Sequence, residues 1–503
     1  MMNPQRQKHS LCELLTLVFV ILIGSSIRFH ALGQDMRFHP DEALFATFAR
    51  TAAVQGDWLL HGALDKPPLT LYISAAAMRL FGVTTLDDGV LTLEIHAGEF
   101  AARVPHVFAS ILLIACVYAI GKAVYRRQSS ARYTAALLVS LSPMAIAFSA
   151  TIFTDNFLLF FVTLSVWMAC WKRWAWAGMW LMAGFWCKQQ ALLYVPIIVG
   201  ICWIESNKNK QALINPIIRI IIPVFAGIIM LFLWDGLRGQ ATSLWDLAVA
   251  NNQPGRLELI YELQTRIELW ARYAGYLIGP GLITTVLGIT VIGAFILAWW
   301  KQLEGNPKAF NILWIIFISV YVSVHLVAIN LYDRYLLLIL VPVILLSAHA
   351  IEILRVYARR IRNVQVIGWA LIMGYMIVTL PTSWEAGDGK LIIGGDQGRH
   401  QGIDELGQFL DQQRLGAIIY DPWLSWELGY YIGTWSDKRR VYYPSPELMI
   451  RDAIVERDPA PRYFVVPNWE NPEPWLSALS SASFSIREVY SEFSFLVYEL
   501  VPN

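Results

Sequence analysis

Apolar stretches of helical length alternate with short polar segments up to about residue 381. The first, residues 11–27, is followed by no small-residue cleavage site, so we interpret it as a retained helix and not as a signal peptide. Ten more cover residues 107–124, 132–150, 153–171, 174–187, 189–205, 212–233, 275–300, 309–330, 333–354 and 364–381. Because a helix needs about 20 mainly apolar residues to cross a bilayer, the pattern predicts about eleven transmembrane helices. The short stretch 174–187 also fits a broken or re-entrant helix.

Basic residues give these helices an orientation. If the N-terminus is cytoplasmic, the connections after residues 124, 171, 205, 300 and 354 are cytoplasmic too, and each carries at least two Lys or Arg. Positive charge favours cytoplasmic loops. Residues 28–106, 234–274 and everything after 382 are then predicted to face the outside. We expect a multi-pass protein of a bacterial-type plasma or inner membrane.

The region after residue 381 has a different pattern. Residues 402–414 and 422–431 have helical spacing, 417–420 form a short apolar run, and 462–466 and 493–500 have the pattern of strands. Alternation of helix and strand predicts a small α/β domain. The fold class is therefore an all-α polytopic membrane protein with juxtamembrane helices in its first outer loop and a small C-terminal extracytoplasmic α/β domain. The predicted domains are 1–381, transmembrane and catalytic with the outer loop 28–106, and 382–503, soluble.

Composition agrees with this class. The chain is 56% hydrophobic and 15% charged, whereas a soluble globular domain has about 25% charged residues. Its basic residues are scattered and form no dense stripe, so nucleic acid is not an expected partner. Membrane lipids are expected partners.

The first outer loop carries two motifs that contain charged residues. In the first, Pro40 suits the first position of a helix, and Asp41 and Glu42 follow in its first turn, where carboxylates complement the helix dipole. This favourable interaction with the helix dipole would by itself explain why both carboxylates are there. In the second, two prolines follow Asp65 and Lys66 and open a helix that Asp65 can cap. An ammonium group beside a helix N-terminus suits a phosphate, although a lysine at a membrane interface gives the same pattern.

Other charges lie in or near apolar stretches. Asp155, Lys188 and Arg334 would be costly there without partners, so we expect them to line a cavity, with interface anchoring as the alternative for Asp155 and Arg334. Arg256 and Arg272 lie among aromatic residues of the outer loop 234–274. They are candidate ligands of a lipid phosphate, although an aromatic belt with interfacial arginines explains the pattern at least as well.

Five segments together resemble a known family. They read RFHPDEALFATFARTAAVQGDWLL, DKPPLTLYISAAAMRLFG, EFAARVP, FTDNFLLFF and LYDRYLLLILVP. In this order and spacing they resemble the membrane glycosyltransferases of the GT-C class, in the branch of the protein O-mannosyltransferases and the bacterial lipid A aminoarabinose transferases. The resemblance is good over residues 35–205, weaker to about 345 and mostly architectural beyond.

The resemblance implies a hexosyl- or pentosyltransferase that uses a polyprenyl-phosphate sugar donor and a lipid, glycan or protein acceptor. It implies that Asp41 is the catalytic base and Glu42 its neighbouring catalytic carboxylate, and that Lys66 approaches the donor phosphate. Asp65 takes the place of a glutamate, and Asp155 and Arg334 match residues near the cavity.

Physical reasoning fits the same reaction. An acceptor hydroxyl needs a carboxylate to take its proton, and a phosphate leaving group needs cations. We therefore expect an inverting direct displacement. The competing functions are a transporter or flippase of lipid-linked substrates, which would place its critical charges near mid-membrane on broken helices, and an inactive relative. His39 lies beside Asp41, but no paired ligand spacing identifies a metal, so a divalent cation is left open.

Overall fold

The computed structural model describes residues 4–125, 130–206, 210–252, 260–300, 306–358, 364–455 and 460–502. Two compact units interleave along the sequence. Unit 1 contains Met1–Gln34, Leu59–Thr70 and Arg103–Gly395, and unit 2 contains Asp35–Trp58, Leu71–Ala102 and Asp396–Asn503. The division into domains 1–381 and 382–503 stays a prediction.

Helices make up most of the described chain. In chain order they are α1 (Pro4–Leu32), α2 (Pro40–Arg50), α3 (Leu69–Phe81), α4 (Ile95–Val124), α5 (Ala131–Ser140), α6 (Pro143–Ala147), α7 (Thr154–Cys170), α8 (Trp174–Cys187), α9 (Val195–Glu205), α10 (Lys210–Leu237), α11 (Leu244–Asn252), α12 (Ile260–Ala274), α13 (Gly281–Trp300), α14 (Asn306–Ala328), α15 (Leu337–Ala358), α16 (Val364–Gly387), α17 (Ile403–Asp411), α18 (Trp426–Tyr431), α19 (Pro446–Val455) and α20 (Glu473–Ser481). A π-helical turn, Thr51–Gln55, follows α2, and 3-10 turns, Gln189–Tyr194 and Asp333–Leu336, precede α9 and α15.

Six helical segments of the described chain are long and apolar enough to cross a membrane. They are Leu11–Leu32, Ile95–Val124, Leu213–Leu237, Pro307–Ala328, Asp333–Ala358 and Val366–Gly387. Shorter apolar helices, such as Thr154–Cys170, accompany them. The predicted membrane class is therefore confirmed. The count of eleven helices and their orientation stay predictions.

The continuous helix predicted over 132–150 is wrong, because it breaks between α5 and α6. Pro143 has no N–H to donate to α5, and the Ser142 side chain caps the new helix that begins there. The Arg28 guanidinium donates to the carbonyl oxygens of Val139 (3.0 Å) and Ser140 (2.9 Å). It thereby satisfies carbonyls that are unpaired at the end of α5.

Unit 2 contains both sheets of the described chain. A two-stranded antiparallel sheet joins β1 (Val83–Thr85) to β2 (Leu91–Leu93). The larger sheet has the order β4-β3-β5-β7-β6, with β3 (Ile418–Tyr420), β4 (Arg439–Val441), β5 (Arg462–Pro467), β6 (Phe484–Glu492) and β7 (Phe495–Pro502). Strand β3 runs parallel to β4 and β5, and β7 is antiparallel to β5 and β6.

The predicted α/β character of the C-terminal segment is confirmed. Helices α17 and α18 and strands β5 and β7 overlap the stretches predicted for them, and β3 lies in the short apolar run 417–420. Every residue of β5 is buried, which explains its continuous apolar sequence. Phe464 and Val466 in β5 pack with Ile418 and Leu479 in the core. Strands β4 and β6 were not predicted, because their exposed, charged residues hide the alternation that marks a strand.

Candidate functional site

A buried ion pair lies at the centre of the charged residues of unit 1. The Lys188 ammonium is 2.7 Å from Asp155 Oδ1, and the two side chains are 5% and 2% exposed. Lys188 interrupts the helical path with an extended backbone between α8 and the following 3-10 turn. Asp155 lies in the first turn of α7, where the helix dipole favours its negative charge. The helix break thus brings a cation to the start of another helix.

Arg334 joins this pair from the turn before α15. Its Nε atom lies 4.0 Å from Asp155 Oδ2. Its guanidinium lies over the rings of Tyr332 (4.5 Å) and Phe153 (5.0 Å), and the Lys188 ammonium lies over the Tyr335 ring (4.6 Å). Aromatic faces attract cations, so these rings stabilise both positive charges. Asp155, Lys188 and Arg334 therefore form one cluster. That they line a cavity stays a prediction.

The motif that contains Asp65 and Lys66 lies beside this cluster. Gln189, the neighbour of Lys188, donates a 3.0 Å hydrogen bond to the Asp65 carbonyl, and the Lys66 charge acts on Lys188. The Asp65 carboxylate contacts the Lys66 ammonium and accepts a 3.1 Å hydrogen bond from Asn251. Asp65 was expected to cap α3, but α3 begins only at Leu69 and the carboxylate is engaged with these two side chains.

Arg238 fixes the loop that precedes this motif. It is fully buried and donates hydrogen bonds to the Leu60 carbonyl (2.8 and 3.2 Å) and the Gly62 carbonyl (2.7 Å). Asp235, one turn earlier on α10, accepts a 3.2 Å hydrogen bond from the same guanidinium. Leu60 and Gly62 both have positive φ, a conformation that local sequence rarely favours at a leucine. Arg238 thus stabilises an unusual turn next to Lys66.

Exposure separates the cations into two kinds. The side chains of Lys66 and Arg334 are 15% and 14% exposed, whereas that of Lys188 is 5% exposed. Lys66 and Arg334 can therefore reach an anion from solvent or lipid. Lys188 and Asp155 are more deeply buried, and Asp155 contacts both Lys188 and Arg334. Such a set of cations is suited to a phosphate or another compact anion.

Unit 2 holds the other predicted carboxylates, at the start of α2. As predicted, Pro40 is the first helical residue and Asp41 and Glu42 lie in the first turn. The backbone N–H of Asp41 donates to His39 Nδ1 (3.2 Å), and Glu42 Oε2 accepts from the His39 backbone N–H (3.1 Å). This is a capping box, in which the third helical residue and the N-cap exchange hydrogen bonds.

The two adjacent carboxylates have different surroundings. Glu42 is 3% exposed and its carboxylate takes part in the capping box. Asp41 is half-buried, one position earlier on the helix. Of the two, Asp41 is the more accessible to a substrate.

Two predicted site residues remain, both in the outer loop 234–274. Arg272 is exposed near the end of α12, and Arg256 lies outside the described residues. The described part of the chain contains no group of three or more His, Cys, Asp or Glu side chains that could hold a metal ion.

Part of the chain matches a family model, and nearly the whole chain resembles solved structures. Residues 65–234 match the family model of dolichyl-phosphate-mannose-protein mannosyltransferases. The fold matches the crystal structure of apo ArnT from Cupriavidus metallidurans, with a TM-score of 0.65 and 12% identity over 98% of each chain. It also matches ArnT from the same organism bound to undecaprenyl phosphate, with a TM-score of 0.62 and 13% identity over 96% of this chain and 97% of that one. No curated protein matches the sequence significantly.

The chain has the fold of ArnT. The predicted resemblance to the membrane glycosyltransferases of the GT-C class is thereby confirmed. The segment that matches the family model contains Asp65, Lys66, Asp155 and Lys188. The comparisons establish the fold and leave the roles of individual residues untested.

Sequence reasoning missed several residues around the charged cluster. Gln189 and Tyr335 are direct neighbours of Lys188 and Arg334, and their proximity to those charges is the signal that could have identified them. Asn251 carries no signal in the sequence. Asp235 and Arg238 are charges three residues apart at the end of an apolar helix, and this spacing predicts an i, i+3 pair but not the contact with residues 60–62.

Proposed function

We propose that the protein transfers a sugar from a polyprenyl-phosphate donor to an acceptor hydroxyl on the extracytoplasmic side of the membrane. The observation that carries the proposal is the cluster in which two accessible cations, Lys66 and Arg334, accompany the buried pair of Lys188 and Asp155. The GT-C fold supports the same conclusion, because one of the similar ArnT structures is bound to undecaprenyl phosphate.

The reaction is an inverting displacement at the anomeric carbon. Asp41 takes the proton of the acceptor hydroxyl while the acceptor oxygen forms a bond to C1 of the sugar. The bond between C1 and the phosphate oxygen breaks, and the electron pair stays on the phosphate. Lys66 and Arg334 stabilise the negative charge that develops there, so the leaving group needs no proton.

Glu42 has a supporting place in this mechanism. Its carboxylate completes the capping box and so orients the first turn of α2, which carries Asp41. Asp155 and Lys188 support the donor site in a comparable way, since their ion pair keeps Arg334 beside a neutralising carboxylate. The proposal thus separates the groups that contact substrate from those that place them.

The test is release of lipid phosphate. The purified protein is incubated with a panel of polyprenyl-phosphate sugars and candidate acceptors, and free polyprenyl phosphate is measured. We expect release from one class of donor, and none from a Lys66→Met/Arg334→Met double variant. A folded wild-type protein that releases no polyprenyl phosphate from any donor contradicts the proposal.

A lipid flippase is the second candidate, because Lys188 lies at a break between helices, where transporters place their substrate contacts. Reconstitution in liposomes distinguishes the two functions. A flippase moves the intact donor between leaflets, whereas a transferase cleaves it. Translocation of uncleaved donor with no released polyprenyl phosphate would favour the flippase.

A further inference from the structure

We propose that helix α18 of the C-terminal segment is a clamp that sets the position of helix α2, and that Tyr431 is a positioning residue for the transfer. The inference rests on the proposed function, because α2 carries the proposed base Asp41. It gives the C-terminal segment a role in the reaction that requires no contact with the substrate.

The N-terminal end of α2 is held by the hydroxyl of Tyr431. The backbone N–H of Phe38, three residues before Asp41, donates a 2.7 Å hydrogen bond to the Tyr431 oxygen. The same hydroxyl donates a 2.5 Å hydrogen bond to Glu99 Oε1 on α4. The Phe38 ring also meets the Tyr430 ring edge to face, with their centroids 4.9 Å apart. Two consecutive residues of α18 therefore fix the residue that leads into α2.

A buried charge pair reinforces this end of the clamp. Glu99 Oε2 accepts a 2.9 Å hydrogen bond from Arg37, and the two side chains are 5% and 2% exposed. Arg37 also lies 3.4 Å from the carboxylate of Asp404 on α17. Hydrogen bonds to charged groups are stronger than those between neutral ones. Arg37, Glu99 and Tyr431 thus form a continuous network around the backbone of Phe38.

The C-terminal end of α2 contacts the same short helix. The Arg50 guanidinium donates to the carbonyl oxygens of Gly429 (3.0 Å) and Tyr430 (2.5 Å), and it lies 4.7 Å from the centre of the Tyr430 ring. Between the two ends, the Phe48 ring lies 5.4 Å from that of Trp426. Because both ends of an 11-residue helix are fixed by one partner, its direction is fixed as well.

The clamp determines where the Asp41 carboxylate lies. A displacement of about 1 Å in a reacting group lowers a rate by about 100-fold, so a small rotation of α2 affects transfer without removing any catalytic group. The proposed ligands of the donor phosphate, Lys66 and Arg334, belong to unit 1, whereas α2 and α18 belong to unit 2. Loosening the clamp should therefore lower kcat and leave the KM for the donor unchanged.

The variant that tests the clamp is Tyr431→Phe. It keeps the ring and removes only the hydroxyl that joins Phe38 to Glu99. The matched control is Tyr463→Phe, which removes a 3.0 Å hydrogen bond to Gln413 in the same C-terminal segment without touching α2. We expect Tyr431→Phe to lower kcat by about 10- to 100-fold with an unchanged donor KM, and the control to leave both unchanged.

Hydrogen exchange supplies a readout that does not depend on activity. Residues 38–45 should exchange their amide hydrogens faster in Tyr431→Phe than in the wild type, and at the wild-type rate in Tyr463→Phe. An unchanged kcat in Tyr431→Phe, an equal loss in both variants, or unchanged exchange over residues 38–45 overturns the inference. If the wild type transfers no sugar at all, the proposed function has failed, and the exchange rates alone decide whether α18 holds α2.

Discussion

The ammonium of Lys188 lies 2.7 Å from the carboxylate of Asp155, and both side chains are buried. The buried Lys188 charge is therefore offset by Asp155, which also contacts Arg334. Asp155→Asn should lower the free energy of unfolding by about 3 to 5 kcal/mol, since it leaves the Lys188 charge buried without its partner. Thermal unfolding in detergent measures the loss.

The double variant Asp155→Asn/Lys188→Met provides the control. It removes both charges, so it should recover most of the stability lost in the single variant. A single variant as stable as the wild type would show that the pair contributes nothing to folding.

Lys66 tests the donor phosphate contact. Lys66→Met should raise the KM for the polyprenyl-phosphate donor by about tenfold, as expected for the loss of one charge-assisted hydrogen bond. The KM for the acceptor should not change. Lys390→Met is the matched control, because Lys390 is an exposed lysine of unit 1 that pairs with Asp388. Unchanged donor affinity in Lys66→Met would show that Lys66 does not bind the donor phosphate.

Arg238 tests the loop beside Lys66. Arg238→Met removes the hydrogen bonds to the Leu60 and Gly62 carbonyls and should cost about 3 kcal/mol of stability. It should also weaken donor binding, because Lys66 follows this loop. Arg238→Lys should not restore binding, since an ammonium group lacks the planar fork that serves both carbonyls. Full donor affinity in Arg238→Met would show that the loop at Leu60 and Gly62 does not affect donor binding.

His400 makes the C-terminal segment sensitive to alkaline pH. Burial lowers the pKa of His400, but hydrogen bonds to Asp396 and Glu427 and the charges of both carboxylates outweigh it and hold the pKa at about 9. The folded pKa lies above the ordinary value of 6.5, so the stabilisation is complete below pH 6.5 and is lost as the pH rises through about 9. The pKa rises from 6.5 to about 9, and at about 1.4 kcal/mol per pH unit the free energy of unfolding changes by about 3 to 4 kcal/mol.

The measurement is the unfolding temperature between pH 7 and pH 10. The wild type should become less stable over this range. His400→Gln should be less stable than the wild type at pH 7 and should depend less on pH. Equal pH dependence of the two proteins would assign the effect to other groups.

Local features of the site could be predicted from the sequence. Helix α2 begins at Pro40 because a proline is pre-organised for the first helical position, and Asp41 and Glu42 favour the first turn for electrostatic reasons. The capping box was missed because its N-cap residue is His39, whereas Ser or Thr normally marks this motif. Common local motifs, such as the start of a helix at a proline, could therefore be predicted from the sequence. A less common form of a motif, such as a capping box with histidine at the N-cap, could not.

Contacts between distant segments could not be predicted. Tyr431 lies 393 positions from Phe38, and nothing in either local sequence relates the two. Arg28 satisfies the end of α5 from a distance of 111 residues, and neither segment indicates this contact. The helix break itself has a local signal, Pro143, which a hydropathy average does not register. Whether a polar group is buried, and which partner it meets, depends on the packed fold. The sequence alone shows only that the group can form a hydrogen bond or an ion pair.

The central claim is that Asp41 accepts the proton of the acceptor while Glu42 only orients the helix. The most direct measurement compares single-turnover transfer by Asp41→Asn and Glu42→Gln, two isosteric changes at adjacent positions. Glutamine also fits the third position of a capping box, so Glu42→Gln should keep most of the activity. Asp41→Asn should bind donor like the wild type and transfer no measurable sugar. Wild-type transfer by Asp41→Asn would contradict the account.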